Sequence, residues 1–197
     1  MTGKGANRCT LLQACLVLSA GSYTTASAGL GSAVQSGTTA LEGWAYSRTV
    51  TISPSTPYAS YQINITLNES FTYSHAASGG SDFRFMAGAT PLNYWIEKWR
   101  TGSPETSIIW VQVPAVGTSS ITMHYGNPAV PAASNGYTTF IFFDDFNSGL
   151  NLSRWDVFND GSGGIGTDVL NVLNGYLWIN DTNNSWRGLN SMAAFKR

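Results

Sequence analysis

Trp95, Glu97 and Trp99 are the residues of this chain best suited to act on a ligand. They take every second position in the run Leu92-Asn93-Tyr94-Trp95-Ile96-Glu97-Lys98-Trp99, and alternate residues of a strand share one face. On that reading Leu92, Tyr94 and Ile96 form the buried face. Trp95 and Trp99 then stand about 14 Å apart with a carboxylate between them, from the rise of a strand. Two flat rings flanking a hydrogen-bonding acid suit sugar rings, because amphipathic aromatics work at half-wet interfaces. The competing reading buries both faces, since tryptophan is usually well covered and a central strand can be packed on both sides.

The acids offer no catalytic constellation. Glycoside hydrolysis needs two carboxylates held across a cleft, whereas Asp144 and Asp145 are adjacent and would point to opposite faces of a strand. They read as strand-end acids capping a turn. Asp145 with Asp160 or Asp168 offers the oxygen ligands that a calcium ion wants, though without the regular loop spacing of a dedicated calcium motif. No other cofactor is implied, and no residue is assigned a catalytic role. His75 and His124 have no cysteine or acid pattern beside them, so they make neither a zinc site nor a hydrolytic triad. The glycine-rich stretches at 78–81 and 161–166 do not open a helix, which a phosphate cradle requires. Asn64, Asn68, Asn151, Asn180 and Asn183 each begin an Asn-x-Ser/Thr triplet and are candidate glycosylation sites.

The elements that must position these residues are strands. Trp44 to Ile52 and Tyr61 to Leu67 alternate apolar and polar residues, and Asp82 to Met86, the tryptophan run, Ile108 to Val113 and Ile121 to Tyr125 follow with turn residues between them. Short strands at regular spacing predict an antiparallel β-sandwich over 43–127. Residues 29–42 carry no hydrophobic period and read as a flexible linker, and 128–138 as a Pro/Ala spacer. From 139 to 197 a second β unit begins: an apolar strand Phe140 to Phe146, then Trp155, then a hairpin at Asn174-Gly175. This length is too short to close a second sandwich, so the expectation is an incomplete one. The fold class is all-β.

Residues 1–28 carry the marks of a signal peptide: Lys4 and Arg8, an apolar stretch from Leu11 to Ala20, and Ala26-Ser27-Ala28 as a cleavage site. The expected location is secreted or at the cell surface, with no transmembrane segment in the mature chain. Both cysteines, Cys9 and Cys15, lie in that leader, which leaves no disulfide to the mature protein. The formal charge of −1 for the whole chain becomes about −3 once Lys4 and Arg8 are removed. Its Arg and Lys residues are scattered, which argues against nucleic acid. With 11% charged residues and 43% hydrophobic ones, the chain has the composition of a folded, uncharged-polar β protein.

Six separated motifs carry a family resemblance: Trp44-x-Tyr46-x-Arg48, Tyr61-Gln62-Ile63, Asp82-Phe83-Arg84-Phe85, Leu92-x-Tyr94-x-Ile96-Glu97-x-Trp99, Ile109-Trp110-Val111-x-Val113-Pro114 and Tyr125-Gly126-Asn127. In this order they resemble a domain-of-unknown-function family of secreted and surface-exposed archaeal and bacterial proteins. That family commonly precedes a concanavalin A-like lectin/glucanase sandwich, and Phe143-Asp144-Asp145-Phe146, Leu150, Trp155 and Asn174-Gly175-x-Leu177 look like the opening of one. Other members are fused to proton-channel subunits of the biopolymer-transport type, and this sequence shows no such membrane segment. Laminarinase-like enzymes of the concanavalin A-like fold carry a Glu-x-Asp-x-x-Glu run, which does not occur in residues 1–197. The family has no established activity, so the resemblance sharpens fold and compartment more than function. The leading expectation is a non-catalytic β-sandwich module that binds a polysaccharide or glycan, is adhesive, or packs against neighbouring domains of a longer chain. One alternative is the N-terminal part of a glycoside hydrolase whose acids lie beyond residue 197. The other is a structural spacer of a surface protein.

Overall fold

The structure, a computed structural model, describes residues 29–30, 41–100, 102, 106–159, 170–173, 175–179 and 187–192. The chain forms two compact units that part between Ile141 and Phe142. Almost every regular element is a strand, and the all-β fold expected from the alternation is the fold observed. Among the described residues no helix is long and apolar enough to cross a membrane.

The first unit is a sandwich of two antiparallel sheets. One sheet has the order β1-β2-β8-β4-β5, from β1 (Gly29–Leu30), β2 (Tyr46–Thr51), β4 (Arg84–Ala87), β5 (Thr90–Leu92) and β8 (Ser120–Tyr125). The other has the order β3-β7-β6, from β3 (Tyr61–Leu67), β6 (Tyr94–Lys98) and β7 (Ser107–Val113). Period-two burial is clearest in β3 and β7, where Ile63, Ile65 and Leu67 lie beside Val111, Ile109 and Ser107 on the inner face. Val50, Phe85, Ile121 and Met123 meet them from the other sheet in one continuous core. Each such side chain contributes about 1.5–3 kcal/mol by leaving water. The strand β1 lies inside the stretch read as a linker and pairs Leu30 with Val50.

Two features depart from the sequence reading of the tryptophan run. The run is two strands rather than one. Leu92 pairs with Phe85 in the first sheet and Tyr94 with Val111 in the second, so the chain changes sheets at Asn93, whose carbonyl accepts the Gln112 N–H at 2.9 Å. Leu92 and Tyr94 therefore enter the same core from opposite sides, as expected, while Ile96 is only partly buried and packs against that core. The second departure is a β-bulge: Ile96 stands opposite Ile109, while Lys98 stands opposite Ile108. Glu97 is the extra residue, and a bulge of one residue shifts the phase of all that follows. Trp95, Glu97 and Trp99 consequently do not share a face.

The edge of β6 is closed by the chain itself. Residues 134–135, in the stretch read as a spacer, run beside it: Ile96 N–H donates to Ser134 Oγ at 2.8 Å and Asn135 N–H to the Tyr94 carbonyl at 2.8 Å. An uncovered edge strand is an open template for another chain, and such closure removes the hazard. One helical turn follows (α1, Gly136–Thr139), with Asn135 Oδ1 accepting the Tyr137 N–H at its start, an ordinary N-cap.

The motif residues of the family resemblance converge on Asp82, which is fully buried. Its carboxylate accepts the N–H of Ala77 at 3.0 Å, of Asn127 at 3.0 Å, and of Gly126. Its carbonyl accepts the Trp44 indole N–H at 2.7 Å. A buried carboxylate is tolerated when its oxygens are filled by donors in this way. Around it, Arg84 lies 5.6 Å over the Trp44 ring and donates to the carbonyls of Phe83 and Pro131. Tyr94 Oη donates to the Phe83 carbonyl at 2.7 Å. Burial pushes the Tyr94 phenol pKa up, with the nearby Arg84 charge working against it.

The second unit, taken by itself, shows two antiparallel strand pairs among its described residues. β9 (Trp155–Asn159) pairs with β12 (Arg187–Ser191), and β10 (Leu170–Leu173) with β11 (Tyr176–Ile179) in the hairpin the sequence predicts, Leu173 standing opposite Tyr176. The predicted strand Phe140 to Phe146 does not form. Its apolar side chains are needed in two places. Phe142 and Phe146 pack on Trp155 in the second unit, while Phe140 belongs to the first. Asp144 is buried, accepting the Phe146 N–H at 2.9 Å and the Trp155 indole N–H at 2.7 Å, so it caps a turn, although not at the end of the strand that was expected.

Candidate functional site

A pocket of about 430 Å³ opens on the first unit, lined by Phe71, Tyr73, Trp99 and Arg100 together with backbone and small side chains from 76–78 and Gly102. This size suits a small ligand or one or two sugar rings. Trp99 follows β6, and the bulge at Glu97 turns its ring toward Phe83, at 5.5 Å, and Tyr73, at 5.4 Å, both edge to face. Gly80 makes that position available. It has φ +68°, and a methyl group there would come within 2.6 Å of Trp99 Cζ3, so only glycine fits beneath the ring.

Tyr73 lies in a short 3-10 turn, Tyr73–His75, and its hydroxyl donates to the Leu67 carbonyl at 2.7 Å. Tyr73 Oη is also 3.1 Å from Ser107 Oγ, which accepts the Arg100 N–H at 2.8 Å. The buried Ser107 hydroxyl thereby ties two walls of the pocket together. The Arg100 guanidinium lies 5.1 Å from the Tyr73 ring centroid, and its Nε donates to the Gly102 carbonyl at 2.8 Å. Phe71 forms the floor at 2% exposure. The Arg48 guanidinium lies 5.5 Å from the Phe71 ring, with its Nε buried and lacking a hydrogen-bond partner. Next to this wall, His75 stacks on Tyr46 at 4.2 Å and 3°, which holds the 73–78 segment against β2.

Of the three candidate ligand residues Trp95, Glu97 and Trp99, Trp99 alone lines this pocket. Trp95 is on the outer face of the three-stranded sheet with Trp110, and Phe140 packs on both, its ring 5.9 Å from Trp95 and 5.8 Å from Trp110. Glu97 Oε2 accepts the Trp110 indole N–H at 2.7 Å. Gln62 Nε2 donates to the Thr139 carbonyl at 3.0 Å, so residues 139–140 lie across this face. Asp145 bonds Asn147 through both oxygens. Asp160 and Asp168 lie outside the described residues, among which no cluster of three or more His, Cys, Asp or Glu is placed to hold a metal.

Asn68 and Asn151 are exposed, and each holds the serine of its own triplet, Ser70 and Ser153, through Oδ1. Asn64 is half-buried on β3, with Oδ1 accepting from Thr66. Asn180 and Asn183 lie outside the described residues. His124 is buried on β8, and burial pulls its pKa below 6.5. Tyr73 and Arg100 were missed by sequence reasoning because one sits in a 3-10 turn and the other in the irregular stretch after β6, where no period operates. The signal that was present is Phe71-x-Tyr73, two aromatics one residue apart in an otherwise small and polar segment.

The family described as Domain of unknown function (DUF2341) matches residues 79–158. The uncharacterized protein MJ1472 of Methanocaldococcus jannaschii is 35% identical over 72 residues, which is 33% of this chain and 13% of that protein. The chain thus spans a small part of that relative's length. No solved structure matches. The family match contains Asp82, β6 and the Tyr125-Gly126-Asn127 turn, while Phe71 and Tyr73 of the pocket precede it.

Proposed function

We propose that the 43–127 sandwich is a non-catalytic glycan-binding module of a secreted or cell-surface protein, with its sugar site in the Tyr73/Trp99 pocket. The observation that carries this reading is the pairing of two half-exposed aromatic rings with a guanidinium in one open cavity. Sugar rings present apolar C–H faces to aromatics and hydroxyls to polar groups, and the pocket supplies both. The signal-like residues 1–28 support a location where extracellular glycans are met. The unit after Ile141 is in this reading the opening of a concanavalin A-like sandwich, and its residues carry no catalytic part.

Affinity electrophoresis of the whole chain through gels containing soluble polysaccharides tests the proposal. Retardation by at least one polymer is expected, and Ser78→Phe should relieve it by filling the mouth of the pocket from an exposed position. Unchanged mobility across a broad panel would instead favour a structural spacer.

A further inference from the structure

We infer that the sugar held in this pocket is a uronic acid, with its carboxylate on Arg100; this rests on the glycan reading above and narrows it. Arg100 is the one charged side chain among the described residues lining the cavity, and no carboxylate among them faces it. Its orientation is set from three sides. The backbone N–H is held by Ser107 Oγ, Nε by the Gly102 carbonyl, and the guanidinium plane lies near the Tyr73 ring. With Nε spent on Gly102, the paired Nη groups have no hydrogen-bond partner among the described residues. A planar pair of N–H donors matches a carboxylate in two parallel bonds.

The ring positions fit the same ligand. A hexuronate has its carboxylate at the edge of a pyranose whose face is apolar, so a ring against Trp99 or Tyr73 can present that edge to Arg100. A guanidinium that is already oriented loses less freedom on binding than a mobile lysine would. Neutral sugars would leave this cation without a counter-charge among the described lining residues and its Nη donors without the charged acceptor that makes the strongest such bond, which disfavours them.

The test uses the whole chain with three uronic acid polymers, polygalacturonate, alginate and glucuronan, each against its own carboxyl-reduced form, and with dextran sulfate as a charge control. At least one acidic polymer should bind about tenfold more tightly than its reduced counterpart, corresponding to about 1.4 kcal/mol. Arg100→Gln should bring that ratio close to one. Arg100→Lys, which keeps the charge and loses the fork, should recover only a small part of it, with melting curves confirming that both variants fold. Equal binding of acidic and reduced polymers would overturn the inference and leave the glycan reading standing. Binding of dextran sulfate as strong as that of the uronic polymers would overturn it in favour of diffuse charge. Failure of every polymer, acidic or neutral, with no response to Ser78→Phe, would overturn the glycan reading itself.

Discussion

Trp95 on β6 and Trp99 just past its end lie on either side of the bulge at Glu97 and end in opposite settings. Trp95 lies on the outer face of its sheet, under Phe140 and beside a Trp110 indole bonded to Glu97. Trp99 turns inward, over Gly80, and forms the wall of a pocket. One is covered by the chain's own segment and the other remains open to a ligand. The spacing of aromatic residues therefore identifies a strand but does not identify a platform. What decides the faces is the hydrogen-bond ladder, and here a single bulge reverses it.

Deleting Glu97 attacks this contrast most directly. The ladder would regain its even phase and carry Trp99 away from the core it packs against, with an expected loss of about 4 kcal/mol of stability, from displacing a half-buried tryptophan together with a local repacking cost. Urea denaturation is the measurement. A loss below about 1 kcal/mol would mean that Gly80 and the following turn, rather than the bulge, direct the ring. Phe140→Ala comes next. It strips the cover from Trp95 and Trp110 and should cost about 3 kcal/mol while leaving the Trp99 pocket, and hence polysaccharide retardation, as in the wild type. Loss of retardation in this variant would show that the two tryptophan settings are not independent.

Ser134→Ala is milder. It removes the acceptor for the Ile96 N–H and should cost about 1 kcal/mol, read as a small shift in the urea midpoint. The smallest effect is a pH dependence on the other sheet, away from both tryptophans. His124 is held below 6.5 by burial, so in the unfolded chain it takes up a proton at a higher pH than in the folded one. Stability is then complete above pH 6.5 and falls as the pH drops from there toward the folded-state value. Midpoints measured from pH 7.5 to 5 should show this fall, and His124→Gln should flatten it. An unchanged slope in that variant would assign the dependence to other groups.

Where one face of a strand is buried and the other is not, the sequence was readable. Ile63, Ile65 and Leu67 announce β3, and Ile109, Val111 and Val113 announce β7, because a slip of one residue would expose all of them. The β10–β11 hairpin was equally legible, through the positive φ that Gly175 supplies. The bulge was not, since Glu97-Lys98 carries neither a glycine nor a break in composition. The change of sheet at Asn93 was hidden for a related reason: Leu92 and Tyr94 keep a strand-like alternation although they belong to different sheets. The Phe140 to Phe146 stretch misled because apolar density says that residues are buried, not that they are buried together. Asp82 looked like one acid in a strand, and only long-range contacts with Ala77 and the 126–127 turn reveal what it holds. Of the candidate site, Trp99 was legible, whereas Tyr73 and Arg100 come from non-strand segments whose positions are fixed by hydrogen bonds to Leu67, Ser107 and Gly102.

The ladder between β2 and β8, which puts Tyr46 opposite Tyr125, has a consequence for the order in which this protein folds. The first long strand of the sandwich pairs early only with the two-residue β1 and meets its long neighbour, β8, after nearly all the others have emerged, and pairing over such a separation is intrinsically slow. The edge of β6 waits longer still, because Ser134 and Asn135 must follow before Tyr94 and Ile96 are covered. During that interval the growing chain presents an unpaired edge beside the aromatic Trp95 and Trp110, a combination that invites association between molecules. The short Pro/Ala connection from β8 to Ser134 limits the exposure: it brings the closing segment to the edge within a few residues, so the vulnerable period ends soon after the sandwich can first assemble.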